Sequence, residues 1–380
     1  MRVAVPSEIA AGEKRVAVVP EVVPQLVRAG HAVTVQAGAG LRAGFADEAY
    51  AAAGASVVPE AAGVYAGSEM VLKVLRPSPE ELALLDSGTT LIGLLQPAGD
   101  PAIFGELASR GVNALSMELV PRTTRAQMMD ALSSQSTVAG YKAVLIAANA
   151  LQKFFPMLMT AAGTVRPARV LVIGAGVAGL QAIATARRIG AVVEAFDTRP
   201  VVKEQVQSLG ATFVELELGS HDTQDSGGYA RELAEEHIRK EKELIHERAK
   251  NADVVITTAL IPGRRAPVLV MAETVEAMKP GSVIVDLAGE QGGNCELTEP
   301  GATVERHGVK IISPLHIASD LAFHASQMYA KNIAALVTLL APEGALKLDM
   351  SDDIIAAVCV TAGGEIRNDA ILRKLSESTS

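Results

Sequence analysis

The sequence contains no tryptophan, and aromatic residues make up only 3% of its 380 positions. Proteins that bind single-stranded nucleic acid stack bases on aromatic side chains, and those that bind duplexes present basic faces to phosphate. This chain has few aromatic residues, and its formal net charge of −9 opposes binding to the phosphate backbone of a nucleic acid. The composition therefore predicts that the chain does not bind nucleic acid.

Cysteine is scarce, and long hydrophobic runs are missing. Cys295 and Cys359 lie far apart and match no metal-ligand spacing, so we expect a reduced compartment and no metal site. The N-terminus begins with a strand pattern and lacks the features of a signal peptide. The most apolar stretch, 143–159, is interrupted by Asn149, Gln152, Lys153 and Pro156, whereas a membrane span needs ~20 apolar residues. We therefore predict no membrane span, and any work at a membrane would need a partner.

The length of the chain exceeds that of one ordinary hydrophobic core, so two domains are expected. Apolar segments that alternate with helical segments predict two parallel α/β layers. In the first layer, buried strands are predicted at 2–6, 32–36, 71–75, 89–95 and 113–117. In the second layer, they are predicted at 169–173, 191–196, 212–216, 253–258, 282–287 and 309–313.

Two long helices, at about 133–153 and 319–340, are expected to connect these layers, because apolar residues recur in them at helical spacing. The segment VCVTAGGEI (358–366) has the pattern of a hairpin and is assigned to the first layer. The predicted fold class is α/β, with two doubly wound parallel-sheet (Rossmann-like) domains joined by long helices. The first domain is discontinuous and comprises 1–135 plus 325–380. The second domain spans 136–324.

The most informative segment is ARVLVIGAGVAGLQAIATARRIGAVVEAFDTR, which occupies 168–199. An apolar strand leads into Gly174, Gly176 and Gly179, a helix follows, and a second strand ends at Asp197. In this pattern the first glycine permits a tight turn, the second lets the backbone approach a pyrophosphate, and the third allows close helix–strand packing. The N–H groups at the helix start, around Val177, suit the pyrophosphate charge. The segment therefore predicts that 136–324 is a dinucleotide-binding domain.

The acidic residue after the second strand bears on which dinucleotide binds. Asp197 follows the glycines by about 20 residues, where a carboxylate accepts hydrogen bonds from both ribose hydroxyls of an adenosine. Because it would repel a 2′-phosphate, the sequence predicts NAD(H) rather than NADP(H). Arg199 leaves three alternatives open: stacking on the adenine, pairing with the pyrophosphate, or plain surface exposure. Thr198, between the two, is included in the predicted site.

One polar, glycine-rich segment, GSHDTQDSGGYA (219–230), stands between a predicted strand and a heavily charged helix at 231–250. Its composition fits a disordered connection. It equally fits a lid over bound nucleotide, with Gly227 and Gly228 as the hinge and Tyr229 as the packing residue. Composition alone does not separate these alternatives.

Five runs of sequence resemble domain I of the proton-translocating nicotinamide nucleotide transhydrogenase family. They are GEKRVAVVPE (12–21), MELVPRTTRAQMMDALSSQSTVAGYKAV (117–144), FPMLMTAAGTVRPARVLVIGAGVAGLQAIATA (155–186), TTALIPGRRAPVLV (257–270) and MKPGSVIVDLAGEQGGNCELTEPG (278–301). The resemblance spans nearly the whole chain. It is more specific than the glycine pattern alone.

The family pattern R-x-x-R-A-Q-x-x-D-x-x-S is matched by Arg122, Arg125, Gln127, Asp130 and Ser133. The resemblance implies that Arg122, Arg125, Gln127 and Ser133 bind NAD(H) and that Gln127, Ser133 and an Arg122–Asp130 pair are catalytic. Hydride transfer between two nicotinamides needs orientation of the reacting carbons rather than an acid or base. Capping and bracing of the long helix is the structural alternative for these residues.

The resemblance also assigns the Tyr229 segment to a mobile lid. It implies nucleotide contacts from Gly228, Tyr229 and Leu260.

Alanine dehydrogenases share this fold and several of these runs. Individual site residues must therefore distinguish the two kinds of enzyme. Arg15 and Lys73 match two of the substrate-site positions of alanine dehydrogenases. The third position is a histidine in alanine dehydrogenases. It aligns with 94–96, which in this sequence are Leu94, Leu95 and Gln96. Oxidative deamination needs a proton acceptor near the substrate amine, so alanine dehydrogenase activity is not expected. His316 and His324 are interpreted as structural or surface histidines.

The resemblance implies an oxidoreductase, an NAD(P)+ transhydrogenase of the Si-specific, proton-translocating type. This chain would be its NAD(H)-binding component, exchanging hydride with NADP(H) held on a partner domain. A membrane-spanning subunit on a separate polypeptide would translocate protons. The resemblance also implies that the chain forms a homodimer. It implies a cytoplasmic location, peripheral on the cytoplasmic face of the membrane. The alternatives are a soluble alanine dehydrogenase-like amino-acid oxidoreductase and an NAD(H)-sensing regulatory subunit.

Overall fold

The computed structural model describes residues 1–216, 235–261 and 263–378. The chain divides into two compact units, comprising 1–135 with 318–380, and 136–317. The sequence places the second boundary at 324/325, whereas the structure places it at 317/318. The physical reason lies in 318–324, where Ser319 hydrogen-bonds Glu13 and Ala322 packs in the core of the first unit.

The strands among the described residues follow the apolar segments closely. They are β1 (Arg2–Val5), β2 (Ala32–Gln36), β3 (Ser56–Val58), β4 (Met70–Leu75), β5 (Thr90–Leu94), β6 (Asn113–Ser116), β7 (Leu158–Thr160), β8 (Gly163–Val165), β9 (Arg169–Ile173), β10 (Val192–Phe196), β11 (Thr212–Val214), β12 (Val254–Thr257), β13 (Val283–Asp286), β14 (Thr303–Arg306), β15 (Val309–Ile312), β16 (Cys359–Ala362) and β17 (Glu365–Ile366).

The helices among the described residues range from one turn to five. They are α1 (Val23–Arg28), α2 (Asp47–Ala52), α3 (Ala61–Tyr65), α4 (Pro79–Leu82), α5 (Ala102–Ser109), α6 (Ala131–Ala150), α7 (Val177–Arg188), α8 (Lys203–Ser208), α9 (Glu235–Ala249), α10 (Ala272–Ala277), α11 (Ala322–Leu340), α12 (Asp353–Val358) and α13 (Asp369–Ser378). A 3-10 turn at Gln127–Met129 precedes α6.

The first unit contains an eight-stranded sheet of order β17-β16-β6-β5-β4-β1-β2-β3. The six strands from β6 to β3 are parallel, and β16 and β17 add an antiparallel hairpin at one edge. Helix α11 contributes Tyr329, Ile333 and Val337 to the core of this unit, each with no exposed surface. Residues from both ends of the sequence therefore build one core.

The second unit contains a seven-stranded sheet of order β11-β10-β9-β12-β13-β15-β14. Six strands are parallel, and β14 is an antiparallel edge strand. The central strands β9, β12 and β13 are almost entirely buried, which explains their continuous apolar sequences. Strand order reverses between β9 and β12, and ligands of such sheets bind in the crevice at the carboxyl ends there.

The predicted fold class is confirmed: both sheets have the doubly wound order, and the first unit is discontinuous. Three features of the strands were not predicted from the sequence. They are the short edge strands β3 and β14 and a separate two-stranded hairpin formed by β7 and β8. Across the described ranges, none of the helices combines the length and apolar character that a membrane crossing requires.

Candidate functional site

The glycine-rich turn between β9 and α7 has the geometry expected of a dinucleotide cradle. Gly174 has φ +95°, a left-handed conformation, and a Cβ there would lie 2.6 Å from Thr258 Oγ1. A Cβ on Gly179 would lie less than 3.0 Å from Gly174 O, so helix and turn pack too closely for any side chain. Among the described residues, the atom nearest to a Cβ on Gly176 would be Arg199 Nη2 at 4.0 Å. The second glycine therefore leaves open the side from which a phosphate approaches.

Helix α7 begins at Val177, with Gly176 as its N-cap residue in an extended conformation. The first N–H groups of a helix lack partners within the helix and attract anions. Val177 is 40% exposed, so this helix start is accessible. The turn and the helix start together fit a pyrophosphate.

Asp197 lies beside this turn, directly after β10. Its Oδ2 accepts a hydrogen bond from Ala175 N at 2.7 Å, which links the carboxylate to the glycine turn. Its Oδ1 accepts from both Arg199 N and Arg199 Nε at 2.9 Å, and Oδ2 also accepts from Arg199 Nη2 at 2.9 Å. The Asp197 side chain is only 6% exposed, and Thr198 beside it is half-buried. The carboxylate is therefore fixed in place, and Arg199 is its ion-pair partner.

Sequence reasoning missed a second carboxyl group near Asp197. Glu241 of α9 is only 6% exposed. Burial, with a further contribution from the Asp197 carboxylate, raises the pKa of Glu241 to about 7. Perturbed carboxyl groups of this kind cluster at functional sites. In the sequence, Glu241 is one acidic residue of a heavily charged helix. Composition does not distinguish it from the neighbouring acidic residues that face solvent.

Leu260 lies on the segment that follows β12, and its side chain is 42% exposed. Asn294 anchors the backbone before it, since its Oδ1 accepts from Ala259 N at 3.0 Å and its Nδ2 donates to Ala259 O at 2.8 Å. The buried Asp286 carboxylate in turn accepts from Asn294 N at 2.8 Å. The exposed Leu260 thus follows a residue that Asn294 anchors at the carboxyl edge of β12.

The transhydrogenase-type pattern lies on the segment before α6, in the first unit. Gln127 is exposed on the 3-10 turn, and Arg122 is also exposed. Asp130 immediately precedes α6 and accepts hydrogen bonds from Ser133 N at 2.9 Å and Ser133 Oγ at 2.6 Å. This is N-cap geometry: Asp130 caps α6, and Ser133 supplies both donors.

Arg125, on the same segment, pairs with two aspartates at the start of α12. Its Nη1 lies 2.6 Å from Asp352 Oδ2, and its Nη2 also bonds Asp353. This pairing lowers the pKa of Asp352 to about 2. In this structure, then, Arg125 binds neighbouring carboxylates of the first unit.

The predicted nucleotide contacts Gly228 and Tyr229, and the whole segment 219–230, lie outside the described residues. Of the remaining predicted site residues, the structure gathers Gly174, Gly176, Val177, Gly179, Asp197, Thr198 and Arg199 around one turn of the second unit. It gathers Arg122, Arg125, Gln127, Asp130 and Ser133 on one segment of the first unit.

The two substrate-site positions shared with alanine dehydrogenases are engaged in buried ion pairs. Arg15 Nη2 lies 2.6 Å from Glu13 Oε2, and Arg15 Nη1 donates to Gln135 Oε1 at 2.8 Å. Lys73 has no exposed surface, and its Nζ lies 2.6 Å from Glu81 and 3.3 Å from Glu8. Both cations are therefore neutralised by side chains of the same unit.

The fold and the glycine turn define a Rossmann-type, dinucleotide-binding α/β protein. Comparisons with known proteins refine this class. Residues 4–139 match the family model described as alanine dehydrogenase/PNT, N-terminal domain, and residues 143–369 match the corresponding C-terminal domain.

The chain is 46% identical over 379 residues to the first part of NAD(P) transhydrogenase subunit alpha of Rhodospirillum rubrum, covering 98% of this chain and 99% of the relative. It is 33% identical over 386 residues to alanine dehydrogenase of Bacillus subtilis, covering 99% and 95% of the two chains. The crystal structure of transhydrogenase from Sinorhizobium meliloti superposes with a TM-score of 0.88 at 44% identity, covering 96% of this chain and 100% of that one.

The chain belongs to the alanine dehydrogenase/PNT family. The resemblance to the transhydrogenase alpha subunits is confirmed over the full length, and with it the assignment to the oxidoreductases.

Proposed function

We propose that this chain is the NAD(H)-binding component of a proton-translocating transhydrogenase and exchanges hydride with NADP(H) held on a partner domain. The observation that carries the proposal is the joining of the glycine turn to Asp197 through the Ala175 N–H. This turn and carboxylate supply pyrophosphate and ribose subsites in one rigid element and oppose a 2′-phosphate.

The residues present fit NAD(H). Gly174 and Gly179 occupy positions where a Cβ would collide, and Gly176 leaves its side of the turn open. Asp197 and the start of α7 would hold the adenosine ribose and the pyrophosphate, while the Leu260 segment borders the same carboxyl edge of the sheet. When bound, NADH supplies the hydride.

The role of the Gln127 segment in this proposal is orientation. Gln127 is exposed and offers both an amide donor and an amide acceptor for a carboxamide group. Asp130 and Ser133 hold the start of α6, so the segment beside Gln127 has a defined position. Such positioning accelerates a transfer that needs no acid or base on the protein.

The partners form a further element of the proposal: an NADP(H)-binding domain, a membrane-spanning subunit that translocates protons, and a location on the cytoplasmic face. Similarity to proteins named as transhydrogenase alpha subunits supports these assignments. The Si-specific stereochemistry implied by the resemblance belongs to the proposal as well. Transfer from stereospecifically deuterated NADH tests it.

A homodimer completes the proposal, and the β7–β8 hairpin supports it. The hairpin joins neither large sheet, and Met159 and Met157 are 77% and 57% exposed on and beside it. Two-stranded hairpins are marginal alone, and exposed apolar groups of this size favour association. Light scattering should report a dimer for the wild-type chain and a monomer for Met159→Glu; a wild-type monomer would contradict the homodimer.

The deciding experiment mixes the chain with the isolated NADP(H)-binding domain of a transhydrogenase and follows hydride transfer from NADH to NADP+ in a single turnover. Transfer that requires both proteins is expected. The control is the chain alone with NADH, pyruvate and ammonium, where no turnover is expected because Arg15 and Lys73 are paired and Gln96 replaces the histidine. Turnover in that control, or no transfer in the mixture, would reject the proposal.

A further inference from the structure

One buried polar side chain of the first unit has no part in the site described above. Asn332 of α11 is 8% exposed, and its Nδ2 donates a 2.8 Å hydrogen bond to Met128 O. Its Oδ1 is buried and finds no hydrogen-bond partner among the residues that the structure describes. A buried amide with half of its hydrogen-bonding capacity unsatisfied is a poor choice for packing alone.

The hydrogen bond that Asn332 donates is accepted by the turn that carries Gln127. Met128 is the next residue after Gln127, and both belong to the same 3-10 turn. Ala126 and Met129, on either side, are buried in the core cluster that also contains Tyr329 and Ile333 of α11. The turn is therefore held on α11 by apolar contacts and by the directional hydrogen bond from Asn332.

The other contacts of the segment constrain it less directly. The Arg125–Asp352 ion pair is exposed, and exposed ion pairs contribute little in water. The Asp130–Ser133 cap fixes the start of α6, three residues beyond Gln127. The Asn332 bond is part-buried and falls on the residue next to Gln127, so it acts directly on the backbone that sets the direction of the Gln127 side chain.

We propose that Asn332 is a positioning residue for hydride transfer: by holding the Met128 carbonyl it fixes the turn that presents Gln127 to the nicotinamide. The inference rests on the proposed function. It assigns a role to a residue that more than half of the chain separates from Gln127. In this role Asn332 acts through the turn and does not contact the nucleotide itself.

The first test needs no nucleotide and no activity. Asn332→Leu removes the donor while keeping an apolar side chain of similar size in the core. Amide exchange of the segment 124–130 should become faster, because the bond that holds the Met128 carbonyl is gone. The matched control is Ser326→Ala on the same helix, where Ser326 Oγ accepts a buried hydrogen bond from Val16 N at 3.0 Å. The control should leave exchange in 124–130 unchanged.

The second test separates orientation from binding. In single-turnover transfer with the NADP(H) domain, Asn332→Leu should slow the chemical step about tenfold to a hundredfold, the effect of a shift of up to about 1 Å. NADH affinity should stay near the wild-type value. In the double variant with Gln127→Ala, the loss should not exceed that of Gln127→Ala alone, because Asn332 acts through Gln127.

Each result has a defined meaning. Wild-type exchange in 124–130 or a wild-type transfer rate in Asn332→Leu would overturn the inference, as would losses that multiply in the double variant. If the wild-type chain itself transfers no hydride, the proposed function fails instead, and the positioning role falls with it. Should Asn332→Leu not fold, Asn332→Ala removes the same donor and is read by the same two measurements.

Discussion

Replacement of Asp197 by Asn is the sharpest test of cofactor choice. In the structure both carboxylate oxygens are in use, one toward Arg199 and the other toward Ala175 N and Arg199. Asn keeps a similar shape and one oxygen that can accept from Ala175 N, but it carries no charge. The variant therefore removes the electrostatics while retaining the turn.

The two nucleotides should respond in opposite directions. NADH should bind about 1.5–3 kcal/mol more weakly, the usual loss for a hydrogen bond to a charged group. NADPH should bind more tightly, because the variant removes the repulsion between the Asp197 carboxylate and a 2′-phosphate, which is on the order of a few kcal/mol for neighbouring unit charges at an effective dielectric constant of about 20. Arg199, no longer neutralised, adds attraction for that phosphate. The preference for NADH should thus fall by well over tenfold.

Titration calorimetry with NADH and NADPH measures both changes on one protein. Glu194→Gln is the matched control, since Glu194 lies on β10, the strand that leads to Asp197, and pairs with Arg169 and Arg248. The control should leave the ratio of dissociation constants unchanged. An unaltered ratio in Asp197→Asn would refute the electrostatic explanation, and Asp197→Ala should cost more NADH affinity because it also abandons Ala175 N.

Three further outcomes are expected. Gln127→Asn should leave the NADH dissociation constant nearly unchanged in calorimetry while slowing single-turnover transfer about a hundredfold; equal losses in both would make it an ordinary binding residue. The pKa of Glu241 is about 7 in the folded protein, against 4.5 for an ordinary glutamate. The contribution of the protonated carboxyl group to the free energy of unfolding is therefore complete below about pH 4.5 and is lost as the pH rises through 7. Melting curves of Glu241→Gln should lack that decline, and a parallel decline would contradict the assignment. Gly140→Ala should lower the free energy of unfolding by about 1–3 kcal/mol in denaturant titrations, because its Cβ would lie less than 3.0 Å from Ala178 O. The control is Gly105→Ala, whose Cβ meets none of the described atoms within 4 Å, and it should stabilise slightly. Equal effects of the two substitutions would contradict the packing argument.

The parts of the fold that the sequence predicts are those set by local patterns. Central strands such as β9 and β12 are buried on both faces, so their apolar runs are unmistakable. The edge strand β14 has the sequence TVER with mostly exposed side chains, and its pairing depends on β15 rather than on its own composition. Local pattern therefore identifies the middle of a sheet better than its edges.

The same distinction holds for the candidate site. The glycine turn and Asp197 lie within 24 residues of one another, and their spacing alone predicts their chemistry. The contact between Asn332 and Met128 joins positions 204 residues apart, and Glu241 reaches the neighbourhood of Asp197 only through the packing of α9. Relations of this kind arise from tertiary structure, so one sequence without its fold does not reveal them.

The discontinuity of the first unit constrains the order in which the chain can fold during synthesis. Residues 136–317 are contiguous, so the second unit is complete once that stretch has emerged from the ribosome. The first unit must wait for α11, whose Tyr329 and Ile333 fill its core, and for β16, which pairs with β6. The sheet of the second unit can thus assemble before the core of the first unit, which carries Gln127, is complete. Nascent chains that have emerged as far as residue 317 should therefore already contain the proposed nucleotide cradle, while the first unit still lacks α11 and β16.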